Sequence, residues 1–489
     1  MSKILISTLG TGNRENISKI NDYRVTNYIF PDSKNLYNTK FIIEALVKER
    51  QPDKIIVLGS NQSLWDGLCN VLLEDKGYDQ DIILEKTMHL IEKLENKLLK
   101  DDSDEDMKMF NSVLSEYAER NTEKKNVSVK SYILEYGQNE EEIKKNVDIF
   151  MDILNHLENG DEIYFDITHM FRSIPLFAFI MLQFIEALDT KSIKIKELYY
   201  GMYEAREKNE YGMEIAPIVD LSYLLELSKW ISATQDFVDN GNAKKLSNLL
   251  EVNGTNQKVA KELSKVSAML KMNFLHEFKR TIPSLRGAIR SAEDDRGLFK
   301  YVEPNIVRML NRFEYENTNE RHENSKRKKI KEESKSQMEL SKWYFEHENY
   351  GFGYLCLEEA IITRLCEIYE VSENKMNDFN YRMNLKARVF TTKNRKGILN
   401  KDIKDLFILQ GIINSLRCKI AHVSIATDEN REREKTSLYS SNKKIQNLET
   451  LAEGAEKDYK EVERILYKGD LNRIKDYISL EEIEKPRNR

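Results

Sequence analysis

Through its first 220 residues the chain alternates short β-branched or aromatic runs with amphipathic stretches, and past Asp220 the strand pattern stops. The runs are Lys3–Leu9, Tyr23–Phe30, Lys54–Leu58, Val127–Leu134, Glu162–Thr168 and Ile193–Tyr203. Between them lie Thr39–Arg50, Ile82–Lys100, Glu140–Leu157 and Phe171–Leu188. In the third of these stretches Ile143, Val147, Phe150, Met151 and Leu154 recur at helical spacing, and Gly160 follows as a terminator. Strands separated by helices are joined by crossovers, which lay them parallel in a sheet covered on both faces. The pattern predicts an α/β, Rossmann-like domain with a parallel-rich sheet over residues 1–220. An all-α middle segment at 221–335 and an all-α C-terminal domain at 336–489 are expected to follow.

A chain of 489 residues is too long for one core. Charged residues at 32% and hydrophobic ones at 40% fit a globular protein with much surface helix. The longest apolar stretch, Ile174 to Leu188, is broken by Gln183 and Glu186 and is shorter than a membrane span requires, so it reads as a buried helix. The first residues enter a strand pattern without a signal-peptide layout, and Cys69, Cys356, Cys366 and Cys418 are scattered without a CxxC pair. These features point to a reducing cytoplasm, with no disulfide framework and no metal. The net charge of −6 excludes coating of nucleic acid through bulk charge but leaves room for a local phosphate site.

From Asp220 the helical stretches Leu221–Val238, Ala243–Leu250, Lys258–Phe278, Met338–Tyr369 and Asp402–Val423 follow. The acidic run Asp101–Asp106 reads as a solvated loop between two helices. The basic segment Arg321 to Lys335 reads as an exposed loop, a polar helix or an RNA-facing strip.

In an open α/β sheet, ligands bind beyond the carboxyl ends of the strands. Four segments are expected there: Thr11-Gly12-Asn13, Ser60-Asn61-Gln62, Gly137-Gln138, and Thr168-His169 with Arg172. Small, hydroxyl and amide residues at these points suit a polyanion that carries bases. Each loop alone is also ordinary turn chemistry. Thr168 can simply cap the helix after it, with Pro175 in an early turn, and Arg172 can pair with a surface carboxylate. The glycines at 10 and 12 complete neither a dinucleotide fingerprint nor a P-loop, which disfavours a nucleotide-dependent oxidoreductase.

Near the C-terminus, Arg417 and His422 lie on or just after a helix bearing Leu406, Leu409, Ile412, Ile413, Leu416 and Ile420. A proton-moving imidazole and a fixed guanidinium are the groups that metal-free phosphodiester cleavage needs. Five residues on a helix is a turn of ~140°, so convergence within one chain is poor and a two-fold dimer would supply it. The spacing is cheap, and a satisfied structural histidine is the alternative.

With these segments located, the chain resembles the CRISPR-associated CARF–HEPN ribonucleases of type III systems. The resemblance rests on Ile4-Leu5-Ile6-Ser7-Thr8-Leu9-Gly10-Thr11-Gly12, on Ile55-Ile56-Val57-Leu58-Gly59-Ser60 with Trp65-Asp66, on Asp166-Ile167-Thr168-His169-Met170-Phe171-Arg172-Ser173-Ile174-Pro175, and on Arg417 to His422. It implies a homodimer that binds a cyclic oligoadenylate activator, cyclic tetra-adenylate being the first to try, and cuts single-stranded RNA without cofactor or metal. Thr11, Gly12, Asn13, Ser60, Asn61, Thr168, His169 and Arg172 would then contact the ligand, with Thr11, Thr168 and His169 placed to degrade it slowly. Arg417 and His422 would form the catalytic pair. Many such motifs have Asn, Asp or His directly after the arginine, where this chain has Cys418, a weak hydrogen-bond former. A different class of function, a ligand-responsive regulator that binds DNA or protein through its helical half, would need a helix-turn-helix with a basic face; Leu221 to Phe278 offers no clear one.

Overall fold

The computed structural model describes residues 2–12, 23–100, 103–170, 174–188, 192–252, 256–292, 297–313, 333–391, 397–422 and 448–484. The chain divides into two compact units, residues 1–229 and 230–489, each with its own packing.

The first unit is built on β1 (Lys3–Leu9), β2 (Thr26–Ile29), β3 (Leu36–Thr39), β4 (Lys54–Gly59), β5 (Ser128–Ile133), β6 (Glu162–Asp166), β7 (Lys194–Gly201), β8 (Glu207–Lys208) and β9 (Glu214–Asp220). They form one sheet in the order β3-β2-β9-β7-β6-β1-β4-β5, with β8 against β9. From β7 to β5 every pairing is parallel, as the alternating pattern predicts. Antiparallel pairings enter only where β2 meets β3 and where β9 meets β7 and β8.

Side chains alternate between the two faces of the sheet, and both faces are covered. Leu5, Ile55 and Val57 pack with α1 (Ile42–Arg50), α2 (Trp65–Asp75), α3 (Gln80–Glu95) and α4 (Glu105–Asn121). Ile4, Ile6, Ile56, Leu58, Ile163 and Phe165 pack with α5 (Glu140–His156) and α6 (Ile174–Leu188).

Four sequence readings are corrected here. Thr39 ends β3 instead of opening a helix; its hydroxyl accepts from the Phe41 N–H and turns the chain into α1. Strand β9 lay hidden behind Pro217, which a central strand normally excludes. It fits because β9 changes partner along its length: residues through Pro217 pair with β2, and Ile218 to Asp220 pair with β7. The acidic run is no free loop from residue 103 on. Asp104 caps α4 by accepting from the Asp106 N–H, and Lys93 bridges both carboxylates. Helix α6 is buried on one side only: Ala178, Met181, Leu182 and Ile185 face the core, while Leu176, Ile180 and Phe184 remain exposed at i, i+4, i+8. Its polar interruptions are paired, Gln183 with Ser228 and Glu186 with Lys229. Among the described residues no helix is long and apolar enough to cross a membrane.

The described part of the second unit is helical. After α7 (Ser222–Asn240), within which the unit boundary falls, come α8 (Lys244–Val252), α9 (Gln257–Lys271), α10 (Leu275–Arg290) and α11 (Phe299–Asn311). Then follow α12 (Glu333–Glu346), α13 (Tyr350–Ile368), α14 (Phe379–Val389), α15 (Lys401–His422) and α16 (Leu448–Glu463). Two stretches that read as single long helices are each broken once. Asn273 (φ 55°) separates α9 from α10, and Glu348 (φ 57°) separates α12 from α13. The second break lets α13 fold back onto α12 so closely that a Cβ at Gly353 would sit 2.3 Å from the Phe345 ring. The segment Arg321 to Glu332, most of the basic stretch, lies outside the described residues, and Lys335 belongs to α12.

The sheet's outer packing should fail at one ring. Phe110 on α4 is fully buried and meets Trp65 edge-on at 5.2 Å. Phe110→Ala is expected to cost about 3–5 kcal/mol, read as lost hydrogen-exchange protection of the β4 and β5 amides with the second unit unchanged.

Candidate functional site

After β1 the chain first lays β2 and β3 at the far edge beyond β9, then places β4 and β5 on one side of β1 and β6 and β7 on the other. β1 and β6, neighbours in the sheet but far apart in the chain, bring their carboxyl ends together at the middle of one edge, where ligands of open α/β sheets bind. All four predicted loops emerge on this edge, because β6, β1, β4 and β5 run parallel and adjacent.

A ring of contacts joins the loops. Ser63 donates to the Leu9 carbonyl and Leu64 N–H to the Gly10 carbonyl, tying the β4 loop to the β1 loop. Gly10 lies so close to the β6 loop that a Cβ there would meet the His169 carbonyl oxygen at 2.4 Å. Tyr136 donates to the Gln62 amide oxygen, tying β5 to β4. Gly201 N–H donates to the Thr168 hydroxyl, tying β7 to β6. Thr168 is thus no helix cap: residues 168–170 form a turn and not the first residues of a helix.

Under the rim sits Asp166, fully buried. Its carboxylate accepts from the Ser7 hydroxyl at 2.7 Å and from both the backbone and the hydroxyl of Thr168. Burial holds this carboxyl above its ordinary range, against the pull of those donors and of the Thr8 N–H. The network pins the β1 and β6 ends to each other.

Three buried polar atoms at this edge have no partner among the described residues: Thr8 Oγ1, Asn61 Oδ1 and His169 Nε2. The His169 ring stacks on Tyr23, centroids 3.9 Å apart and planes within 8°. Residue 169 is only partly covered as a whole, yet its Nε2 is sealed from solvent. Burial pushes the imidazole pKa down to about 3, so the ring is neutral at physiological pH. Unpaired buried polar atoms are costly unless a ligand or water completes them.

The predicted residues are not equivalent. Thr11 and Gly12 extend from β1, Gly12 exposed and left-handed with φ 57°. Ser60 is spent internally, its N–H on Ser63 and its carbonyl on the Trp65 indole. Gly137 and Gln138 stand beside the acidic first turn of α5, where the Glu142 carboxylate accepts from the Gln138 N–H. That end of the rim is unfavourable for a polyanion. Asn13 and Arg172 lie outside the described residues.

In the second unit Arg417 lies on α15, whose Leu406 and Ile413 are fully buried, and His422 is its final residue with a side chain outside the described set. Arg417 Nη1 donates to Glu358 Oε2 at 2.9 Å, and Lys386 Nζ reaches Glu358 Oε1 at 2.5 Å. Gln410, near the same carboxylate, and Asn414, which accepts from Lys386, stand on the Arg417 face of α15 at positions i−7 and i−3. The sequence reading missed Glu358 and Lys386, although Tyr354, Leu357, Glu358, Ile361 and Leu365 show a carboxylate set into a core stripe. The described cysteines, Cys69, Cys356 and Cys366, are buried free thiols.

Comparison with known proteins bears on both units. Residues 4–204 match the family of the CARF domain of the CRISPR system endoribonuclease Csx1, and residues 226–320 match the second domain of the CRISPR-associated protein MJ1674. The CRISPR-associated protein MJ1674 of Methanocaldococcus jannaschii is 30% identical over 429 residues, which is 87% of this chain but 63% of that protein's length. A solved structure of Enterococcus italicus Csm6 bound to cyclic hexa-2′-fluoro-hexa-dAMP aligns with 97% of this chain and 99% of its own at 11% identity, with a TM-score of 0.34.

The depressed imidazole fixes a pH dependence. An unfolded histidine binds a proton below about pH 6.5 and the folded His169 does not, so stability present above that pH falls as pH drops toward 3. His169→Phe keeps the stack on Tyr23 and removes the titration. Its thermal midpoint should fall less steeply than that of the parent between pH 6.5 and 4.5, measured by calorimetry.

Proposed function

We propose that this chain, which is a CRISPR-associated CARF protein, is a ribonuclease switched on by a cyclic oligoadenylate. The observation that carries the sensing half is the edge where the β1, β4 and β6 ends meet, with three buried polar atoms that have no partner among the described residues. A cyclic oligonucleotide offers what such an edge lacks. Its bases carry donors and acceptors for Asn61 and Thr8, and its phosphates suit the backbone amides near Thr11 and Gly12. Tetra-adenylate is the first ring to try, and Asn13 and Arg172 join the contacts in this reading.

Residues 1–220 sense the ligand, 221–335 connect, and 336–489 form a HEPN-type nuclease domain. His422 moves the proton at the ribose 2′-hydroxyl or at the leaving 5′-oxygen. The 2′-oxygen bonds to the adjacent phosphorus, the bond from phosphorus to the 5′-oxygen breaks, and the proton that the hydroxyl gives up ends on that oxygen. Arg417 balances the charge of the phosphorane, and the 5′-oxygen departs with a proton. The products carry 2′,3′-cyclic phosphate and 5′-hydroxyl ends, and no metal takes part. Two copies of the chain bring two α15 ends into one cleft. The exposed Leu176, Ile180 and Phe184 of α6 support pairing of the first units.

The test is incubation of the purified chain with labelled single-stranded RNA in EDTA, with and without cyclic tri-, tetra- and hexa-adenylate. One ring size should elicit cleavage, and His422→Ala should lower the rate at least ~10²-fold while ligand binding by calorimetry is retained. Equal cleavage by parent and variant would overturn the nuclease assignment. A ligand-dependent shift of duplex DNA without any RNA cleavage would point to a regulator instead.

A further inference from the structure

Helix α13 presents Tyr354, Leu357, Ile361 and Leu365 to the core, each at most 1% exposed, and Glu358 occupies the same stripe at 1%. A lone carboxylate at such a position costs several kcal/mol, so a fold keeps one only with compensation. Two buried glutamates on this helix are compensated differently. Glu367 accepts from the Ser334 N–H at 2.9 Å and hydroxyl at 2.8 Å and pairs with one cation, Arg364 at 3.1 Å. That site is charge-balanced within itself. Glu358 holds two cations, Lys386 from α14 and Arg417 from α15. Among the described residues the Glu358 cluster therefore keeps one positive charge without a counter-charge. Lys386 is 12% exposed and Arg417 34%, so the open side of the cluster is the arginine's. Glu358 engages Nη1 alone; no hydrogen bond to the other two guanidinium nitrogens is made among the described residues.

We infer that Glu358 is the positioning residue of Arg417, fixing the guanidinium by one nitrogen so that its free edge meets an RNA phosphate, while Lys386 supplies the surplus positive charge that draws the phosphate in. This rests on the ribonuclease reading above. A planar guanidinium held by a buried carboxylate loses its rotational freedom before substrate arrives, and its remaining donors keep the fork geometry that suits phosphate. The uncompensated charge lies in poorly hydrated surroundings, where its attraction for an anion is less screened than at an open surface.

A double-mutant cycle separates positioning from simple structural support. With activator present, Glu358→Gln should lower kcat for RNA about 30-fold with KM within about twofold, because the interaction is realised at the phosphorane. In an Arg417→Lys background the same change should add less than about twofold, since the geometry it protects is already gone. Additive losses in the two backgrounds, or an unchanged kcat in the single variant, would overturn the inference while leaving the nuclease reading intact. Absence of cleavage by the parent protein under every activator would remove both. Lys386→Gln tests the charge without touching the Glu358–Arg417 bond and needs no turnover. Binding of 2′-O-methyl RNA should weaken, and the slope of log affinity against log salt should drop by about 1. An unchanged slope would rule out Lys386 as the source of the surplus charge that draws the phosphate in.

Discussion

The parallel pairing of β1 with β4 on one side and with β6 on the other organises the first unit. A parallel strand cannot return by a tight turn, so each neighbour of β1 requires a crossover that covers one face or the other. Ile4 and Ile6 therefore enter one core and Leu5 the other, and β1 is buried on both faces from residue 4 onward. The same constraint sends all the polar strand ends to one edge. The adjacent ends of β1 and β6 lie at the middle of that edge, and there stand the atoms of Thr8 and His169 that find no partner among the described residues. Asp166 completes this arrangement from below, since its hydrogen bonds to Ser7 and Thr168 hold the two strand ends together.

The second unit meets a different constraint. Its helices pack through apolar stripes, and polar groups within those stripes must be answered by other helices. Glu358, Glu367 and Asp458 are all nearly inaccessible, and each binds a group from another segment. For Glu367 the answering groups include one cation, Arg364, and balance the charge locally. For Glu358 they include a side chain that reaches the surface, so a core residue has a direct influence on chemistry outside the core.

Much of this organisation could be read from the order of residues. The bounds of β1 were legible because its β-branched and apolar run is continuous and ends at Gly10, and α5 because its apolar spacing is bracketed by Asn139 and Gly160. The breaks at Asn273 and Glu348 were not, since the apolar period runs on through both and neither residue is a glycine. Pro217 argued against the strand that contains it, and only the division of β9 between two partners makes it acceptable. At the candidate site, the shared edge followed from topology alone. The orphaned atoms of Asn61 and His169 and the engagement of Ser60 by its own loop depend on packing distances that no spacing rule carries. Glu358 was visible in principle as a charge in a hydrophobic stripe, but its partners lie 28 and 59 positions away in Lys386 and Arg417.

Buried ion pairs are often replaceable by well-packed apolar residues with a gain in stability. The Glu358 cluster bars that route. A leucine at this position would extend the apolar stripe of α13 but strand Lys386 and turn Arg417 loose, so the gain in apolar packing is set against two cations left without their carboxylate.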